Sequence, residues 1–333
     1  MIRDKQELLA EIHGNPNFLS LYNNWEYQRQ QEFLDFCTGA RGFKLLYDSF
    51  FKEVMNPEYD KSRLERLLCV LLKKKVKILT VLPNDSTRIA DESSLLITDI
   101  VVELEGGSIA NVEIQKIGYA FSGARSACYS SDMLLRQYKR VRSKRGDAFS
   151  YQDIKNVYLI VIYENSPSIF HRFPDIYYHH SRQVFDSGLN LDLLQEFIMI
   201  PLDIFKKQMH NKTIHTKLEA WLTFLGEDDP EKILILIDKF PEFKAMYQTL
   251  YEMCLNTERV MEMFSEELRI LDQNTVKYMI EEQQKEIDAC REQLNQKDQQ
   301  LHHKDQQLSL KNEEIARLEA ELQEYRKQHQ TES

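Results

Sequence analysis

Residues 94–120 read SLLITDIVVELEGGSIANVEIQKIGYA, two runs of strand-forming residues joined by Glu105-Gly106-Gly107. Alternating apolar residues on both sides of a glycine pair are a hairpin signal. The register of that hairpin decides what the segment can do. An odd-length loop centred on Gly106 sets Ile100 opposite Val112, Val101 opposite Asn111 and Asp99 opposite Glu113. One face then carries Ile100, Val102, Val112 and Ile114 toward a core, and the other gathers Asp99, Glu113 and Gln115. A two-residue loop would move Asp99 onto the face of Ile114 and mix polar with apolar positions, because a one-residue slip turns every side chain over. The odd loop is the self-consistent reading.

That register puts two carboxylates side by side, which costs stability unless a cation or a proton lies between them. Oxygen ligands without a nearby His or Cys suit Mg²⁺ or Mn²⁺. Outward from the hairpin, strand patterns occupy 76–82, 95–104, 108–116 and 156–164, with an amphipathic helix over 121–141. Shorter strand-like pieces, DIYYHH and EFIMI, extend the set, and helical spacing fills residues 1–75 and returns from His215 to Asp272. Helix, three strands, helix, strand describes a mixed α/β core with helices covering a sheet.

The spacing of Asp99 from Glu113-Ile114-Gln115, on adjacent strands before an amphipathic helix, resembles the PD-(D/E)xK nuclease superfamily. The ordered segments FKLLYDSFFKEVM, LPNDSTRIADESSLLITDIVVELEGG, NVEIQKIGYA, RSACYSSDMLLRQYKR and NVYLIVIY look more narrowly like its bacterial recombination-promoting nucleases, described as transposases. The resemblance spans residues 25–210. It implies a restriction-endonuclease-like αβββαβ core and a metal-dependent DNA endonuclease, with Asp99 and Glu113 holding Mg²⁺, Mn²⁺ being the alternative. Gln115 stands where the superfamily's usual lysine would stand. An amide can orient water but supplies no positive charge. Lys116 is adjacent, and strand alternation sends it to the opposite face. A third, helix-borne or loop-borne acid would be Glu53, Glu65 or Glu92, each of which also reads as a solvated, turn or capping residue.

The chain carries 43 Lys and Arg against 53 Asp and Glu, a formal charge of −10, so nucleic acid cannot be held by bulk positive charge. DNA binding must be local. The best local patch is the end of the helix after Glu113, where Arg136, Lys139, Arg140, Arg142, Lys144 and Arg145 fall within ten residues that contain no acid. A solvated helix end whose cations complement its dipole is the bland alternative. Arg125, Tyr129 and Gln137 lie along one strip of the same helix, which the resemblance turns toward the site and DNA. His179 and His180 are strand neighbours that point opposite ways, and the lysines 73–75 read as a turn.

Only Tyr278 and Tyr325 among the aromatic residues lie beyond residue 274, and the last proline is Pro241. Ile280, Ile287, Leu294, Leu301, Leu308, Ile315 and Leu322 then recur every seven residues, roughly 63 Å of helix at 1.5 Å per residue. Three residues on, the seam is only half apolar, with Lys297, Lys304 and Lys311. This predicts a weak or partner-dependent coiled coil, the alternative being a single solvated helical arm. The expected organisation is an N-terminal helical part (1–75), the nuclease core (76–210), a helical extension (211–273) and a tail (274–333) for self-association.

The charged N-terminus and the short apolar runs argue for a cytoplasmic chain without a membrane span. Five scattered cysteines without a CxxC read as reduced thiols. Two functions follow as expectations: a metal-dependent DNA endonuclease acting in recombination or transposition, or a nuclease-fold DNA-binding and assembly protein of low activity that associates through its tail.

Overall fold

The computed structural model describes residues 3–43, 45–82, 100–117, 123–181, 183–269 and separate positions between 287 and 321. The chain divides into two compact units, Met1–Asp272 and Gln273–Ser333.

In the first unit five helices precede the sheet: α1 (Lys5–Gly14), α2 (Pro16–Asn23), α3 (Tyr27–Cys37), α4 (Asp48–Val54) and α5 (Pro57–Leu71). Local chemistry starts several of them. Asn15 and Asn56 each accept a backbone N–H while a proline opens the first turn of α2 and α5, the arrangement in which a missing N–H costs nothing. Strands β1 (Ile78–Val81), β2 (Ile100–Leu104) and β3 (Ile109–Ile117) follow, then α6 (Gly123–Arg145), β4 (Val157–Asn165), β5 (His179–His180) and β6 (Gln195–Pro201). Helices α7 (Leu202–Met209), α8 (Lys217–Gly226), α9 (Pro230–Lys239) and α10 (Lys244–Cys254) come next, with a further helix, α11, over 257–269.

The six strands form one mixed sheet in the order β1-β2-β3-β4-β6-β5. β2 runs antiparallel to both β1 and β3, β3, β4 and β6 run parallel, and β5 closes the edge antiparallel to β6. The parallel β3–β4 step needs a crossover, which α6 supplies. The hairpin register is the odd-loop one. Ile100 pairs with Val112, Val101 with Asn111 and Glu103 with Ile109. Gly106 and Gly107 have φ of +95° and +88°, a backbone that only glycine adopts without strain and that closes the tight turn.

Both sheet faces are buried. Ile100, Val102, Ala110, Val112, Ile114, Ile160 and Ile198 join one core with the N-terminal helices and with α8, α10 and α11. Trp25, Phe33, Phe36 and Tyr47 pack there around Phe264 of α11, with ring centroids 4.9–5.8 Å apart, so the ends of this unit share a single aromatic cluster. The opposite face, Val101, Ile109, Val157, Leu159, Val161 and Tyr163, is covered by Tyr129 and Met133 of α6.

In the second unit every described residue between 287 and 321 is helical. No coiled coil is shown among the described residues of this unit, where Ile287, Leu294, Leu301 and Leu308 are exposed. Ile280, Ile315 and Leu322 lie outside the described residues.

Candidate active site and nucleic-acid interface

The site is built on β3, where alternation places Ile109, Asn111, Glu113 and Gln115 on the α6 side of the sheet. Glu113 is 1% exposed and sits between antiparallel β2 and parallel β4, level with Val161. A carboxylate at that depth is stable only with hydrogen bonds or opposite charge around it. One partner is Asn111, fully buried two residues earlier, whose Nδ2 donates to Glu113 Oε1 at 2.8 Å. The Asn111 Oδ1 is itself buried with no hydrogen-bond partner among the described residues. Asn111 escapes notice in the sequence as one polar residue inside an apolar run, yet its i−2 spacing already puts it on the face of Glu113.

Gln115 is half-buried and pairs with Tyr163 of β4 in the parallel ladder. Burial raises the Tyr163 phenol well above its ordinary value. Lys116 does turn to the other face: its Nζ lies 3.4 Å from the ring centroid of Tyr47. The Tyr47 hydroxyl donates to Glu32 Oε1 at 2.8 Å. Burial, and then the charge of Glu32, push that phenol up as well.

Asp99 and Glu92 lie outside the described residues. The two helix acids have other partners. Glu53 pairs with Arg259 of α11, and Glu65 Oε1 accepts the Ile78 N–H at 2.7 Å, holding the start of β1. Among the described residues no group of three or more His, Cys, Asp or Glu side chains is placed to hold a metal ion.

Helix α6 carries a buried polar stripe: Ser126, Tyr129, Ser130, Asp132 and Gln137. Arg125 lies across the Tyr129 ring at 5.2 Å and donates to its hydroxyl at 2.8 Å. Asp132, 3% exposed and not conspicuous in the sequence, pairs with Arg136 at 2.7 Å. Gln137 is fully buried. Its Nε2 donates to the Gly107 carbonyl at 2.8 Å, and its Oε1 accepts the Lys155 N–H at 2.7 Å. It therefore ties α6 to the hairpin turn and to the approach to β4. Both ends of its amide are used.

The basic helix end is sorted in the same way. Arg140 pairs with Glu103 at 3.1 Å and Arg145 with Asp153 at 3.2 Å. Lys139, Arg142 and Lys144 are exposed, and Arg142 donates to the Tyr138 hydroxyl. From Arg125 to Arg142 the helix runs about 26 Å at 1.5 Å per residue, roughly seven or eight base-pair rises of 3.4 Å. His179 meets Phe170 and Phe173 edge-on while His180 pairs with Glu196 at 2.8 Å, so the two histidines form no joint site.

A family model for PD-(D/E)XK nuclease family transposases matches residues 45–283, well over half of the chain. The chain belongs to that family. The matched span includes the whole sheet, α6 and the buried Glu113. No curated protein and no solved structure matches the chain. Family membership implies a nuclease domain with a DNA-related role in transposition. No helix among the described residues is long and apolar enough to cross a membrane.

Proposed function

We propose that the chain is a divalent-metal-dependent DNA endonuclease that hydrolyses phosphodiester bonds in recombination or transposition. The observation that carries the reading is the hairpin register around a buried acid. Ile100 faces Val112, and Asp99 is covalently one 3.8 Å Cα step from Ile100. Continued by one residue, the same register would set Asp99 opposite Glu113.

The donor set fits a hard divalent cation. Asp99, Glu113 and the Oδ1 of Asn111, which has no partner among the described residues, offer oxygen atoms, and the stretch contributes no sulfur or imidazole, which matches Mg²⁺ or Mn²⁺ and disfavours Zn²⁺. When bound, such an ion makes water nucleophilic near neutral pH and offsets phosphate charge. The rest is done by the chain itself. Asn111 holds one Glu113 oxygen by its amide and so fixes the carboxylate rotamer. Gln115 orients the attacking water through its amide. Arg125, braced on Tyr129, presents guanidinium N–H groups to a phosphate.

Along the duplex, Lys139 and Arg142, exposed at the far end of α6, bind the backbone. Arg136 and Arg140 stand beside them, paired with Asp132 and Glu103, and set local field more than direct contacts. Gln137 acts by positioning α6. The exposed heptad side chains of the tail support self-association of two chains through residues 274–333 as a coiled coil. The same tail, together with an amide at the lysine position, supports a second reading, a weakly active DNA-binding assembly protein. Supercoiled plasmid incubated with Mg²⁺, Mn²⁺ or excess EDTA separates the two. Nicking or linearisation in the metal arms alone is expected, and an intact plasmid in all arms would reject the endonuclease.

A further inference from the structure

Around the C-terminal end of α6 the chain builds an aromatic cluster that duplex cleavage leaves without a role. Tyr138 and Tyr151 stack with ring planes 12° apart and centroids 6.1 Å apart. Phe149 meets each of them edge-on, at 5.5 and 5.3 Å. Tyr151 is nonetheless 73% exposed, at the tip of the cluster. An aromatic ring of that size in water is costly by itself, and this one is held in place. Tyr151 opens a short 3₁₀ turn locked by a reciprocal cap, in which Ser150 Oγ accepts the Gln152 N–H and Asp153 Oδ2 accepts the Ser150 N–H. Arg142 borders the rings, its guanidinium 5.7 Å from the Tyr138 centroid, and Lys139 and Lys144 of the same helix end are exposed. Of the two acids in the segment, Asp153 is taken by Arg145, which leaves the exposed Asp147 as the one negative group facing solvent.

We propose that this surface is a binding site for single-stranded DNA, in which an unpaired base stacks on Tyr151 while Lys139, Arg142 and Lys144 hold the flanking phosphates. In a duplex the faces of each base are covered by its neighbours. A rigid, exposed ring beside cations therefore finds a π-face only on an unpaired strand. Pre-setting the ring through the cap at Ser150 lowers the entropic cost of engaging it. The choice of DNA as partner rests on the nuclease reading, and the strand type rests on the aromatic cluster. Such a site would hold a strand left unpaired next to a cut, about 26 Å along α6 from Arg125.

The test is fluorescence anisotropy of the full chain in EDTA, with a fluorescein-labelled thymidine strand of about 20 nucleotides and a duplex of the same length. Tyr151→Ala should weaken single-strand binding about tenfold, the loss of one stacked base, and leave duplex binding unchanged. Tyr151→Phe should retain wild-type affinity for both. Equal loss on strand and duplex, no loss on either, or no single-strand binding by wild type would each overturn the proposal. Matching thermal melts of the variants exclude misfolding, as expected for so exposed a side chain. If plasmid cleavage fails in every metal while Tyr151→Ala still separates strand from duplex, the nuclease reading falls and this site stands.

Discussion

Gln137 offers the sharpest quantitative test of how α6 is held. In the sequence it lies within the basic run, where an amide would suit a DNA contact, but the fold buries it completely and uses both ends of its amide. Gln137→Ala removes two hydrogen bonds worth about 1 kcal/mol each in net terms. It also removes a buried methylene and the amide volume, about 1 kcal/mol more. Gly107 is only half-buried and Lys155 is exposed, so water can reach their freed backbone groups and no large desolvation penalty is added. The expected loss is about 3 kcal/mol. Urea unfolding followed by circular dichroism measures it as a fall in midpoint at constant slope. DNA affinity, measured well below the transition, should stay close to wild type. A stability change under about 0.5 kcal/mol combined with weakened DNA binding would refute the positioning role and restore a contact role.

Other consequences follow from the same geometry. Burial raises the phenols of Tyr47, Tyr163 and Tyr247 above their ordinary value. Each keeps its proton in the folded chain at a pH where the unfolded chain loses it, so their stabilising effect is complete below about pH 10. Stability should then fall as pH rises above that point, by up to about 1.4 kcal/mol per pH unit per tyrosine, with the tyrosinate absorbance of these three appearing only as the chain unfolds. The exposed tyrosines ionise near pH 10 in the folded chain, so ionisation of all 16 tyrosines near that pH without unfolding would contradict the burial. Replacing Lys139, Arg142 and Lys144 together by alanine should lower the slope of log Kd against log salt by roughly two to three, about one for each phosphate no longer neutralised. An unchanged slope would place the DNA elsewhere. Deleting residues 274–333 should reduce the mass seen by light scattering to that of a single chain, and an unchanged mass state would remove the tail from assembly.

The hairpin was legible because its signals are local. Apolar alternation, two glycines and one consistent loop length fixed the pairing of Ile100 with Val112 before any tertiary information. Strand positions followed for the same reason: the pattern over 156–164 matches β4 within a residue at each end. The second sheet face was harder to read. Asn111 becomes significant only once α6 covers it, and Asp132 only once its helix stripe faces the sheet.

Long-range partners decided the acids and cations. Glu53 meets Arg259, 206 residues away, and Glu65 caps β1, so both are spoken for by partners that no sequence window contains. Three of the clustered arginines are likewise tied to Asp132, Glu103 and Asp153. The run of positive charge therefore overstates the cationic surface. The aromatic rings beside it leave no mark in the sequence, because their exposure depends on a turn beyond the helix end.

The central claim is that Glu113 is a catalytic carboxylate. The most direct measurement compares Mg²⁺-dependent plasmid nicking by wild type, Glu113→Gln and Asp99→Asn, with folding checked by thermal melting. Glu113→Gln keeps the shape of the side chain and can still bond Asn111, so the fold should survive while the rate falls by a factor of about 10³ or more, the scale on which loss of electrostatic stabilisation acts. Asp99→Asn should behave alike. Nicking by a folded Glu113→Gln variant at the wild-type rate would contradict the account.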